Sequence, residues 1–129
     1  MKRWLDIATV VLTALLMVLF AALALRGLLD PQAASARFGT AVSDPAGALF
    51  YRVYLSRNLV IVVTGAILLV LGQWRALAIL FSVTAALPVF DMSVLSLNGV
   101  TPPAFHPVAL VVLLVVALLL WRRALRGTT

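Results

Sequence analysis

The sequence holds no cysteine, no glutamate and only one histidine. Without cysteine, neither disulfides nor thiolate metal sites can form. One histidine and four acids, all of them Asp, supply too few ligands for a protein-only metal site. Charged residues make up 11% of the 129 positions, whereas a soluble domain holds about a quarter. There is no phosphate-cradling glycine loop and no Gly-x-Ser-x-Gly nucleophile. Period-two alternation and turns at strand spacing are missing as well, which argues against β architectures. No internal repeat or low-complexity tail stands out.

What is present is apolar. Hydrophobic residues account for 64% of the chain, and the mean hydropathy is +1.17. A soluble fold of this length could not bury so much apolar surface, so lipid must be part of the solvent. The length allows one compact unit, a single integral membrane domain over residues 1–129. Four runs approach the roughly 20 apolar residues that a spanning helix needs. They place spans at about 5–26, 48–71, 76–97 and 104–121. The expected fold class is all-α, a four-transmembrane-helix bundle. Met1-Lys2-Arg3 and Ala22-Leu23-Ala24 resemble the two ends of a signal peptide. The uncharged run from Ile7 to Leu25 exceeds the usual signal core of about 7–15 residues, so an uncleaved first span is expected.

Local signals set the element ends. Asp44 followed by Pro45 reads as an N-cap with proline at the first helical position. A helix from there to Leu71 is about 40 Å long, more than the hydrocarbon core, so it must tilt or begin at the interface. Asp30-Pro31 gives a second cap and Gly39 a stop. Together they predict a short interfacial helix over residues 31–38 with Phe38 as an anchor. Pro88 lies inside the third run and crowds the carbonyl of Thr84, so a kink is expected there. The fourth run, Val108 to Leu120, is all Val, Leu or Ala and is expected to face lipid widely.

Four spans put both termini on one side. That side would hold Lys2, Arg3, Arg75, Arg122, Arg123 and Arg126, against Arg26, Arg37, Arg52 and Arg57 on the other. The bias predicts cytoplasmic termini in a plasma membrane, with Trp4, Trp74 and Trp121 forming the inner aromatic belt. The net charge of +6 lies beside apolar runs, not on a clustered aromatic-rich face, so no nucleic-acid partner is expected. Arg122, Arg123 and Arg126 are expected to meet anionic headgroups.

The tryptophans also serve as a ruler. Arg57 precedes Trp74 by as many positions as Asp91 follows it, and His106 precedes Trp121 by two fewer. At about 1.5 Å of rise per residue, all three sit about 22–26 Å above the inner belt, near the outer edge of the core. Asp91 is the most informative of them, because an Asp inside a span costs about 2.5–3.5 kcal/mol and normally faces the bundle interior with a partner. Arg57 is the expected partner. Thr84, Asp91 and Asn98 share one face of the third span at a spacing of seven, as Arg57 and Thr64 do on the second. Two polar stripes facing each other are therefore expected, with His106 adding a titratable group. Two readings of this cluster compete: an Arg–Asp pair that only fixes helix register, or a site. Tyr51 and Tyr54 fit interfacial aromatics as well as ligand contacts, and Thr9 and Thr13 fit hydrogen bonds within the bundle.

The order Pro31…Phe38-Gly39, Tyr54…Arg57-Asn58, Pro88…Asp91 and His106 resembles a small four-helix membrane family, domain of unknown function four-two-six-seven, found in bacteria and fungi. The resemblance spans roughly residues 10 to 123. It implies the same fold and the polar cluster, and it brings no reaction with it; a bacterial plasma membrane is the expected location. Where the family usually follows the Arg with Asp, this chain has Asn58, one carboxylate fewer.

The function expected is binding of an amphipathic small molecule or lipid in an outer-leaflet pocket between spans 2, 3 and 4. Candidate ligand-binding residues are Tyr54, Arg57, Asn58, Asp91 and His106. Asp91 and His106 are the candidate proton-exchanging residues if a reaction occurs. No cofactor is expected, since haem would rest on His106 alone. The alternatives are a proton-coupled small-molecule transporter acting as a homo-oligomer, and an accessory or scaffold subunit docking through the fourth helix.

Overall fold

The computed structural model describes residues 2–126, with the side chains of residues 4–126. The side chains of Lys2 and Arg3, counted above among the positive charges, lie outside the described residues. The fold is all-α: α1 (Lys2–Leu29), α2 (Pro31–Phe38), α3 (Pro45–Val70), α4 (Trp74–Thr84), α5 (Ala86–Leu97) and α6 (Phe105–Arg126). Four stretches are long and apolar enough to cross a bilayer: Trp4–Leu29, Pro45–Val70, Trp74–Leu97 and Phe105–Arg126. The third is α4 and α5 in sequence.

The helix ends follow from local chemistry. The Asp44 carboxylate accepts from the Gly47 amide at 2.9 Å, with Pro45 opening α3. Asp30 does the same for α2, accepting from Ala33 at 3.0 Å. Gly39 ends α2 at φ 122°, a conformation that residues with a Cβ rarely adopt. Buried Ser35 then fixes the loop that follows: its hydroxyl donates to the Gln32 carbonyl and accepts from the Val42 amide, both at 3.0 Å. The last span runs past Trp121 to Arg126, longer than expected, because its final turn has partners on α1 and α4.

The third span breaks at Ala85, one residue past Thr84. Pro88 has no amide hydrogen to return to the Thr84 carbonyl, so the ladder fails there. The consequence is large for the bundle. The helix before the break, α4, packs against both α3 and α6, whereas α5 keeps close backbone contact with α6 and none with α3. The span thus leans away from α3 after the break.

Two tight pairs, α1 with α3 and α4 with α6, make up the bundle. In the first pair a Cβ placed on Gly65 would sit 2.6 Å from Met17 Cε, so glycine permits the approach. Thr9 and Thr13, both fully buried, turn their hydroxyls back onto the Leu5 and Thr9 carbonyls of α1 at 2.7 Å. The shared core joins Leu16 and Met17 of α1 to Leu77, Ala78 and Phe81 of α4 and Leu113, Val116, Ala117 and Leu120 of α6.

That core revises one expectation. The fourth span contributes one full face, His106, Leu113, Val116, Ala117, Leu120 and Ala124, to the interior. The widest lipid-facing span is instead α3, which buries only Leu55 and Gly65. Core and lipid are both apolar, so an all-apolar helix does not declare which of its faces is inside.

Candidate functional site

Antiparallel register brings the site together. At one end Arg123 of α6 stacks over Trp74 of α4, 4.0 Å from the ring centroid. Asp91 lies as many positions onward from Trp74 as His106 lies back from Arg123. Equal rise along both helices returns the chain to level, and His106 Nδ1 lies 3.8 Å from Asp91 Oδ2. The kink does not disturb this register, because α5 stays on α6.

His106 is 1% exposed. Its Nε2 meets the Phe38 carbonyl at 3.1 Å. A carbonyl only accepts, so Nε2 is the donor in this contact. Nδ1 then faces the Asp91 carboxyl at a distance too long for a hydrogen bond but within ion-pair reach. The histidine thereby ties the interfacial helix α2 to α5 and α6. The Phe38 ring adds to the tie, with edge contacts to His106 (centroids 4.8 Å, 80°) and Tyr54 (6.1 Å, 65°).

Where α5 parts from α3, a cavity of about 330 Å³ opens between the α1–α3 pair and the α5–α6 pair. Its polar side chains include Tyr51, Tyr54, Asn58, Asp91 and His106, with Arg26 and Arg37 also on its wall. Phe20, Leu55, Val62, Pro88 and Leu113 are among its apolar residues. A smaller space of about 30 Å³ shares Phe20, Val62 and Leu113 with it and reaches Met17 and Gly65. Concave sites of this size, mostly apolar with a few convergent polar groups, are the usual form of small-molecule pockets.

Of the five residues expected at the site, Tyr54, Asn58, Asp91 and His106 line this cavity. Arg57 does not. Its side chain is exposed and makes no ion pair among the described residues, so the expected Arg57–Asp91 pairing is not formed. The reason is azimuth. Tyr51, Tyr54, Leu55, Asn58 and Val62 share one face of α3, and Arg57 points about 100° away from it. Thr64 is likewise exposed, as is Asn98, whose amide donates to the Val94 carbonyl of its own helix at 2.8 Å. The two facing polar stripes are therefore not formed. His106, not Arg57, is the group beside Asp91.

Sequence reasoning misses three contributors. It reads Arg26 and Arg37 only as flanking charge, and Phe38 only as an anchor. The first two occupy the last turns of α1 and α2, and no spacing rule links residues on separate helices. The interfacial helix and the first span, not only the later spans, thus form part of the cavity wall.

Four apolar spans define the class: a small multi-span integral membrane protein. The chain belongs to the family described as Domain of unknown function (DUF4267), whose model matches residues 7–120. No curated protein and no solved structure matches it.

Proposed function

We propose that this protein binds an amphipathic small molecule or lipid in the cavity between its two helix pairs. One observation carries the reading: the proline break holds α5 off α3, and the space so made is apolar over most of its wall, with Tyr54, Asn58, Asp91 and His106 converging on it. A membrane helix normally closes such gaps, because association in lipid depends on van der Waals packing. On the positive-inside orientation the polar groups lie in the outer leaflet, so the ligand enters from lipid on that side. Tyr54, Asn58 and His106 give the cavity polar contacts for its polar end, with Asp91 beside His106. The contact of Asp91 with His106 also supports a second reading, proton-coupled movement of that ligand by an oligomer. A pH-driven flux in proteoliposomes, lost in Asp91→Asn, would favour it.

The binding reading is tested by native mass spectrometry of protein purified from its own membranes in mild detergent. A bound amphiphile is expected, lost in Ala109→Phe, which fills the cavity, with helicity unchanged by circular dichroism. An amphiphile retained in Ala109→Phe would refute the cavity as its site. Loss of helicity in Asp91→Asn, with binding intact at the wild-type residue, would assign Asp91 a structural role.

A further inference from the structure

We infer that the cavity's ligand is a single-chain amphiphile of about a dozen carbons with an anionic headgroup, carboxylate or phosphate, held between Arg26 and Arg37. The inference rests on the cavity reading above and adds the chemistry of both ends of the ligand.

The headgroup follows from a charge inventory. The four acids of the chain are all committed. Asp6 pairs with Arg122 at 3.2 Å, Asp30 and Asp44 cap α2 and α3, and Asp91 lies beside His106. Several arginines have protein partners as well. Arg52 donates to the Leu28 carbonyl at 3.2 Å, Arg123 to the Asp6 carbonyl at 3.1 Å, and Arg122 to the Asp6 carboxylate. Arg57 and Arg75 have no such partner among the described residues but lie off the cavity; Arg26 and Arg37 differ from both groups. Both line the cavity, both are exposed, and neither makes an ion pair or side-chain hydrogen bond among the described residues. Two arginines lining one cavity, with no carboxylate of their own, are suited to a planar or tetrahedral oxyanion. With Asp91 as the single acid on the wall, the lining charge stays positive at +1 even when His106 is neutral.

The chain length follows from volume. A buried apolar cavity of about 150 Å³ accepts benzene, a six-carbon molecule. The observed volume of about 330 Å³ is roughly twice that, so it holds about twelve carbons. The two acyl chains of a phospholipid exceed this. The smaller space toward Met17 and Gly65 allows a modest extension.

The test uses the full chain in nanodiscs of phosphatidylcholine, with empty discs correcting for partition into lipid. Radiolabelled dodecanoate, dodecyl phosphate, dodecanol and dodecylammonium are the probes. Saturable binding of dodecanoate or dodecyl phosphate is expected, and the tighter of the two names the headgroup. Dodecanol and dodecylammonium are expected to bind at least tenfold more weakly. Arg26→Gln and Arg37→Gln are each expected to weaken the anionic probe severalfold and to leave dodecanol unchanged. Both sites are exposed, so the variants should fold, which circular dichroism checks. Equal binding of dodecanol and the anionic probes, or no effect of either substitution, would overturn the anionic headgroup while leaving the cavity reading intact. Absence of saturable binding by every probe would overturn both.

Discussion

The tryptophan end and the proline end of this bundle are made by the same spans but solved differently. At the tryptophan end, Arg122 and Arg123 of α6 reach Asp6 of α1, and Arg123 also covers Trp74. Trp121 donates to the Ser82 hydroxyl at 3.0 Å. Below them Leu77 and Leu120 are fully buried. At the other end α5 leaves α3, and the interior holds a cavity rimmed by polar side chains. Here α2 packs on α1 and α3, and His106 and the Phe38 ring tie it to α5 and α6. The contrast teaches where each kind of residue belongs. Interhelical bonds and dense packing hold the fold at one end, so the other end is free to stay open.

The largest expected effect breaks the closed end. Leu77→Ala or Leu120→Ala should each cost about 2–5 kcal/mol, since the void left behind keeps its shape. Unfolding in detergent reads this directly. Leu23→Ala, on the cavity wall and 41% exposed, should cost less than about 1 kcal/mol. Similar losses at both ends would erase the distinction. A smaller effect is expected from Asp6→Asn, about 1 kcal/mol, because its ion pair with Arg122 is partly solvated.

The open end is sharpened by closing it. Pro88→Ala should restore the helical ladder and straighten the span. With a kink of about 20° removed, the middle of α5 moves roughly 3 Å toward α3. The chain has no cysteine, so spin labels on Ser56→Cys and Ser93→Cys, both exposed positions, report that distance without interference. An unchanged distance would detach the cavity from the proline. The smallest effect is expected at Arg57. Its replacement by Gln should change stability by no more than about 0.5 kcal/mol, whereas breaking a buried Arg–Asp pair would cost about 3–5 kcal/mol.

Depth is legible in the sequence and azimuth is not. Counting from the tryptophans puts Asp91 and His106 at one level, and their matched separations from the Trp74–Arg123 stack are what bring them together. The same count puts Arg57 at that level, but depth says nothing about direction around a helix. Soluble proteins reveal direction through a polar face. In α3 both faces mix polar and apolar residues, Arg52, Val53, Ser56 and Val60 outward and Tyr54, Leu55, Asn58 and Val62 inward, so the usual signal is gone. The same loss hides the core face of α6. The caps at Asp30 and Asp44, the stop at Gly39 and the break near Pro88 are readable because they depend on backbone chemistry within one turn, which lipid leaves unchanged.

An experimental structure in a lipid environment, at a resolution that shows side chains, tests the central claim most directly. The account predicts α5 standing off α3, His106 between Asp91 and the Phe38 carbonyl, and an elongated non-protein density running from Tyr54 past Pro88 to Leu113. An interior closed between α3 and α5, with the Arg57 guanidinium seated on the Asp91 carboxylate, would contradict it.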